Sequence, residues 1–260
     1  MRELSPQKNY PAVLLEQVSK VYQNGTTALQ NLNLQIQEGE FVSLVGSSGC
    51  GKSTVLRLIA GLGELSSGAI ARHLPQGNQD MAFVFQDAAL MPWATVLENV
   101  CLPLKLAHTS PRFSRSAAQD ILHLVGLTGF ENTYPRQLSG GMKMRVSIAR
   151  ALVTQPHLLL MDEPFGALDE ITRSKLNRDL LNLWQDQRWT VVFVTHNIYE
   201  AVYLSNRVIV MSNRPGQVFA DIPIDAPYPR DEEFRTSQLC NEYCRQVGHA
   251  LEKAIQGAWY

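Results

Sequence analysis

The chain has 260 residues, 45% hydrophobic and 18% charged, which is enough apolar material for one large domain or two small ones. Its 23 basic and 24 acidic side chains leave a net charge of -1, which excludes a global positive field for non-specific nucleic-acid binding. No apolar run approaches the roughly 18 to 20 residues that span a bilayer, and the stretch from Met1 to Pro11 is too polar for a signal peptide.

Val13 to Tyr22 reads as a strand closed by the turn Asn24-Gly25. Leu32, Leu34 and Ile36 alternate with polar residues as in a half-buried strand, and Glu38-Gly39 turns the chain. Phe41 to Val45 is a short apolar run of the kind buried on both faces of a parallel sheet. It leads into a glycine-rich loop and then a helical spacing over Thr54 to Gly61. Residues 88–155 carry helical patterns with two proline-marked breaks, Pro103 and Pro111, and predict a helical insertion. Leu158 to Met161 and Val191 to Val194 predict two more buried strands, with helices near Arg173 to Gln187 and Asn197 to Ser205. Strands alternating with helices predict an α/β sheet with crossover helices.

The last stretch, Asp225 to Tyr260, opens with Pro227 and Pro229 and continues as a helix. Its Leu239, Tyr243, Val247, Leu251 and Ile255 recur every four residues, an apolar stripe facing its own domain, a second copy or a regulator. The four cysteines, Cys50, Cys101, Cys240 and Cys244, show no metal-ligand spacing and read as reduced thiols. Cys240 and Cys244 are four apart and predict a buried helix seam.

Gly46-Ser47-Ser48-Gly49-Cys50-Gly51-Lys52-Ser53-Thr54 matches the phosphate-loop pattern GxxxxGK[ST], placed as that pattern requires between a buried strand and a helix. Its glycines let backbone N–H groups turn inward onto phosphate oxygens, and the helix N-terminus adds partial positive charge. Lys52 reaches the terminal phosphates, and the Ser53 hydroxyl is placed to ligate Mg²⁺. The loop implies binding of a nucleoside triphosphate. Cys50, beside Lys52, is either a small residue that merely fits the loop or a thiol that titrates low and reacts as a thiolate, in which case its alkylation blocks nucleotide binding. The strand Leu158 to Met161 ends in Asp162-Glu163, a costly pair of acids unless it serves a metal. Asp162 is placed to hold Mg²⁺ and Glu163 to polarise a water. Leu138-Ser139-Gly140-Gly141-Met142 precedes a helical stretch that Ser139 is suited to cap, and Asp162 lies 24 residues beyond Leu138.

With that order and spacing the sequence resembles the ATP-binding subunits of ABC transporters. The likeness covers roughly Val13 to Ile222 and rests on the phosphate loop Gly46–Thr54, a Gln loop at Gln86, the signature Leu138–Met142, the Asp162-Glu163 strand, Ala167-Leu168-Asp169 and Thr195-His196. The resemblance implies a P-loop NTPase (RecA-like) α/β core with an antiparallel β subdomain and an inserted helical subdomain. It implies an ATPase domain over 12–225, the helical insertion at about 88–155 and a helical tail over 226–260.

It also implies that two copies meet head to tail around two ATP molecules, each held between one copy's phosphate loop and the other's Ser139, Gly140 and Gly141, with Asp169 near the seam. His196 then contacts the γ-phosphate, Tyr22 stacks on adenine, and Gln86 reaches Mg²⁺ or the attacking water. The apolar segment from Gln86 to Trp93 is implied to dock a membrane permease, which a solute-binding protein serves in turn. This puts the chain on the cytoplasmic face of the inner membrane as a peripheral subunit, with no nucleic acid as partner. Leu138 to Val146, Glu200 to Leu204 and Val210 to Gly216 are similar to the nitrate/sulfonate/taurine-type importer ATPases, a group that also serves bicarbonate and cyanate systems. Met142, Lys143-Met144 and Asn197 depart from the commonest residues, and none of them removes a phosphate ligand. The competing class is a non-transport ABC ATPase acting on ribosomes or DNA. It lacks sequence support here: only 110 residues separate Lys52 from Asp162, and there is one ATPase domain.

Overall fold

The computed structural model describes residues 10–74 and 80–257; the polar N-terminal residues 1–9 and the last three of the tail lie outside it. In chain order the elements are β1 (Val13–Val21), β2 (Thr27–Ile36), β3 (Phe41–Val45), α1 (Lys52–Ile59), β4 (Ser67–Arg72), β5 (Met81–Val84), α2 (Val96–Leu106), α3 (Pro111–Leu124), α4 (Gly140–Leu152), β6 (Leu158–Asp162), α5 (Glu170–Gln187), β7 (Thr190–Val194), α6 (Ile198–Leu204), β8 (Arg207–Met211), β9 (Val218–Pro223), α7 (Glu232–Thr236) and α8 (Gln238–Gln256).

β1 pairs antiparallel with both β2 and β4 in a three-stranded sheet. The other six strands form one sheet in the order β5-β6-β7-β3-β8-β9, parallel except for the β8–β9 hairpin. β3, β6 and β7 are buried at every residue. Their side chains alternate between two cores, as a pleated strand demands. Leu159, Met161, Val191 and Phe193 face the core shared with α2, α4 and α5, whereas Leu158, Leu160, Val192 and Val194 face the core shared with α1, β1 and β2. Each such side chain contributes about 1.5–3 kcal/mol by leaving water. This is why so short a run can fix a strand.

Between β5 and β6 the chain forms α2, α3 and α4, which pack on one another. Pro111 does open a helix, at the first turn of α3 with Ser110 as cap. Pro103 breaks nothing: it lies inside α2. An interior proline costs about 3 kcal/mol. Here it is offset by a Thr95–Glu98 capping box and by Val96, Leu97, Val100, Cys101 and Leu104 in the core.

The C-terminal stripe is rotated from its expected position. α8 buries Cys240, Cys244, Val247 and Ala254, while Leu239 is exposed. A four-residue repeat drifts around a helix of 3.6 residues per turn, and the small side chains lie on the face that touches. That face packs on α6, β8 and β9 of its own chain. The cysteine pair thus lies in a buried seam, as free thiols.

Arg230 fastens this C-terminal segment. It is 2% exposed. Its guanidinium donates to the carbonyls of Val202, Tyr203 and Ser205 at the end of α6, and to those of Ile224 and Ala226. It stacks 4.2 Å from the Tyr228 ring and 5.3 Å from Phe234. Burial pushes the guanidinium below its usual range.

Candidate nucleotide-binding site

Parallel strands deliver their following loops to one edge of the sheet. β3 ends at the phosphate loop, β6 at Asp162-Glu163, β7 at Thr195-His196, and β5 two residues before Gln86. The register aligns them: Leu44 pairs with Val194, Val194 with Asp162, and Met161 with Val84.

The loop wraps the start of α1. Gly51 has φ +113°, and a Cβ there would lie 2.7 Å from Leu29 Cδ2 and 3.0 Å from the Ala28 carbonyl, so no other residue fits. Lys52 is 5% exposed, and its Nζ donates to the carbonyls of Gly46 (2.9 Å) and Ser47 (3.1 Å). The ammonium is therefore held back across its own loop. Ser47 hydrogen-bonds Asn213, and Arg214 donates to the Gly49 carbonyl from Nη2 (2.9 Å) and Nε (3.2 Å).

Ser53 Oγ donates to Asp162 Oδ1 at 2.8 Å. Burial pushes the Asp162 carboxyl up and the neighbouring Glu163 adds to this, against the Ser53 hydrogen bond. A cation between these oxygens would relieve both effects, and hard oxygen donors are the set that Mg²⁺ takes. Glu163 has φ +47°, a left-handed conformation that costs a non-glycine residue roughly 1–2 kcal/mol. Its N–H is fixed to the Val194 carbonyl at 3.0 Å, and its Oε2 lies 3.2 Å from His196 Nδ1.

A cleft of about 450 Å³ opens beside these groups, lined among others by Tyr22, Gly49, Lys52, Ser53, Glu163 and Arg214, with Asp162 and His196 outside its lining. Tyr22 stands at its rim, 40% exposed, with its hydroxyl 3.1 Å from Thr54 Oγ1. Asn24, Thr26, Ala28, Ser48, Gly51 and Thr54 complete the lining.

Not every expected residue lies there. Gln86 is exposed beyond β5 at the same sheet edge but does not line the cleft. Of the apolar segment after it, Ala88 and Leu90 pack on the core and Trp93 is 77% exposed. Arg150 of α4 donates to the carbonyls of Ala88 and Ala89, both at 2.9 Å, and so ties that segment to the helix behind the signature. Ser139 caps α4 by accepting from Met142 N–H at 3.3 Å. Ser139 and Gly140 are exposed and contribute nothing to the cleft of their own chain. Gly141 packs on α5, where a Cβ would lie 2.6 Å from Thr172 Cγ2. Asp169 caps α5, and the Thr172 N–H it accepts from holds its carboxyl below the usual range.

Cys50 takes the first of its two readings. It is 1% exposed, and burial pushes its thiol up, outweighing Lys52. Its sulfur fills the space against Gly46, where a Cβ would approach Sγ to 2.6 Å. The thiol is packing and not a poised nucleophile. Arg214 and Asn213 reach the loop from more than 160 residues away; they lie in the stretch Val210 to Gly216 that carries part of the family likeness, but nothing in that stretch assigns them to this site.

The family model described as ABC transporter matches residues 29–166. An aliphatic sulfonates import ATP-binding protein of Bacillus cereus is 44% identical over 232 residues, covering 87% of this chain and 91% of that one. The dimeric structure of a bacterial ABC transporter cassette is similar with TM-score 0.72 and 37% identity, over 83% of this chain and all of the other. A dimeric post-hydrolysis state of an ATP-binding cassette bound to ADP and Pi matches equally well. No helix among the described residues is long and apolar enough to cross a membrane.

Proposed function

The chain belongs to the ABC transporter family of ATP-binding proteins, and on that premise we propose that it is the ATP-hydrolysing subunit of an importer for a small anion, an aliphatic sulfonate or a close chemical relative. The observation that supports this most is the convergence of Lys52, Ser53, Asp162, Glu163 and His196 at one sheet edge beside an open cleft.

Lys52 and the loop amides bind the phosphates of ATP, and Tyr22 receives the adenine. Ser53, Asp162 and Gln86 would hold Mg²⁺, which neutralises charge on the phosphate oxygens. Glu163 takes a proton from the attacking water, and His196 holds the γ-phosphate in line. Phosphoryl transfer needs little beyond such positioning and charge stabilisation. The Ser139–Gly141 helix end completes the site of a second ATPase subunit, and Asp169 lies at the seam. The segment from Gln86 to Trp93 docks the permease at the cytoplasmic face of the membrane. Beside it runs a groove of about 1050 Å³ lined by Phe83, Phe85, Leu106 and Arg150. A solute-binding protein acts one step further off.

Tyr22→Ala is expected to weaken ATP binding about 3- to 10-fold through lost stacking. Titration with a fluorescent ATP analogue checks it, and unchanged affinity would return Tyr22 to strand-end packing. Affinity capture of the tagged chain from gently solubilised membranes tests the transport assignment. A multi-span permease is expected with the wild type and is lost with Trp93→Asp, while ATP binding stays. Recovery of soluble partners alone would favour a non-transport ATPase. The companion binding protein, titrated with sulfonates, nitrate and bicarbonate, then identifies the solute.

A further inference from the structure

Glu200 is a buried carboxyl, 6% exposed, that the chemistry above does not use. It sits in the first turn of α6, directly after the His196 turn. Three contacts close a ring around that turn. Thr195 Oγ1 donates to Glu200 Oε2, the same hydroxyl accepts from Asn197 N–H at 3.0 Å, and Asn197 Oδ1 accepts from Glu200 N–H at 3.1 Å. His196 is the residue this ring leaves pointing outward, 3.2 Å from Glu163.

The second oxygen of Glu200 has a different outlook. Glu200 Oε1, Asn177 Oδ1 and Arg173 Nε are all buried without a hydrogen-bond partner, and all three residues line one small pocket of about 20 Å³. A space of that size suits a single water. Arg173 in turn donates to the Leu168 carbonyl at 2.8 Å, next to Asp169. The carboxyl of Glu200 thus stands between the loop of His196 and the helix that opens at Asp169.

We propose that Glu200 is a positioning residue for the hydrolysis step: through Thr195 it fixes the His196 turn, while its other oxygen faces Asn177 and Arg173 at the Asp169 end of α5. A buried group kept only for stability would be better served by an apolar side chain, since an unpaired carboxyl oxygen is costly to bury. The hydroxyl it fixes is the one that also holds the backbone beyond His196.

The proposal rests on His196 acting at the γ-phosphate, and steady-state ATPase kinetics separate the two. Glu200→Ala is expected to lower kcat about 10- to 30-fold with KM for ATP within about twofold, since the phosphate loop is untouched. Glu200→Gln, whose amide oxygen still accepts from Thr195, is expected to recover most of the rate. In a His196→Ala background Glu200→Ala should cost nothing further, because a positioning residue has nothing left to position. Thr195→Val, which keeps the shape and removes the hydroxyl, gives the same pattern if Glu200→Ala folds poorly. A normal kcat in both Glu200→Ala and Thr195→Val, or the same loss again on top of His196→Ala, overturns the role of Glu200 alone. Full turnover by His196→Ala itself overturns the role of His196 and this inference with it.

Discussion

Glu163→Gln is expected to cut steady-state ATP turnover by about 100-fold or more while ATP affinity stays within about threefold. Gln keeps the size and one hydrogen-bonding oxygen of Glu163, so the contact at His196 Nδ1 survives. What goes is the ability to take a proton from the attacking water. Lys52, Ser53 and Asp162 are unchanged, so the nucleotide still binds. The left-handed backbone at Glu163 is equally accessible to Gln, and no new strain enters. With hydrolysis blocked, the ATP-bound pair of subunits accumulates, and gel filtration in ATP should show a dimer that the wild type forms only transiently. Phosphate release measured with excess ATP decides it. Turnover at the wild-type rate would falsify the assignment of Glu163, and loss of ATP binding would mean that the substitution acts on the fold of the loop.

The second large effect concerns stability. Arg230→Met should destabilise the domain by about 3 kcal/mol and lower the thermal midpoint by roughly 6–12 °C. Five carbonyls lose their donor, each worth on the order of 1 kcal/mol. The sum is reduced because the buried cation no longer has to be kept from water. Met fills most of the space against Tyr228 and Phe234, which confines the change to the polar contacts. Circular dichroism during heating measures it. An unchanged midpoint would show that the carbonyls find water instead and that the fastening of the C-terminal segment is unimportant.

Much of this arrangement is legible in the chain because the chemistry is local. β3, β6 and β7 announce themselves as apolar runs buried on both faces, and the phosphate loop and the paired acids follow them directly. The cap Ser139 is readable for the same reason. β4, β5 and β9 are not, since SGAIAR, MAFV and VFADIP are short, partly exposed and free of strict alternation. Pairing partners distant in sequence decide them. Cys50 shows a different limit: the charge beside it can be read from the sequence, its burial cannot, and burial dominates. Arg214 and Arg230 escape for a third reason. Their partners are carbonyls brought near by the fold, and no spacing encodes such a meeting.

The sheet order carries a consequence for how the chain is made. β3, which ends at the phosphate loop, pairs only with β7 and β8, strands built from residues 190–194 and 207–211. At roughly 5–20 residues per second, a ribosome needs about 8 to 30 s between completing the first of these strands and the last. Until β7 is made, through most of that interval, the phosphate loop has no sheet to stand on. Nascent chains halted before residue 190 should therefore fail to retain nucleotide, however long they wait. ATP cannot template the early stages of folding; it can reward only a chain in which β7 and β8 have been made.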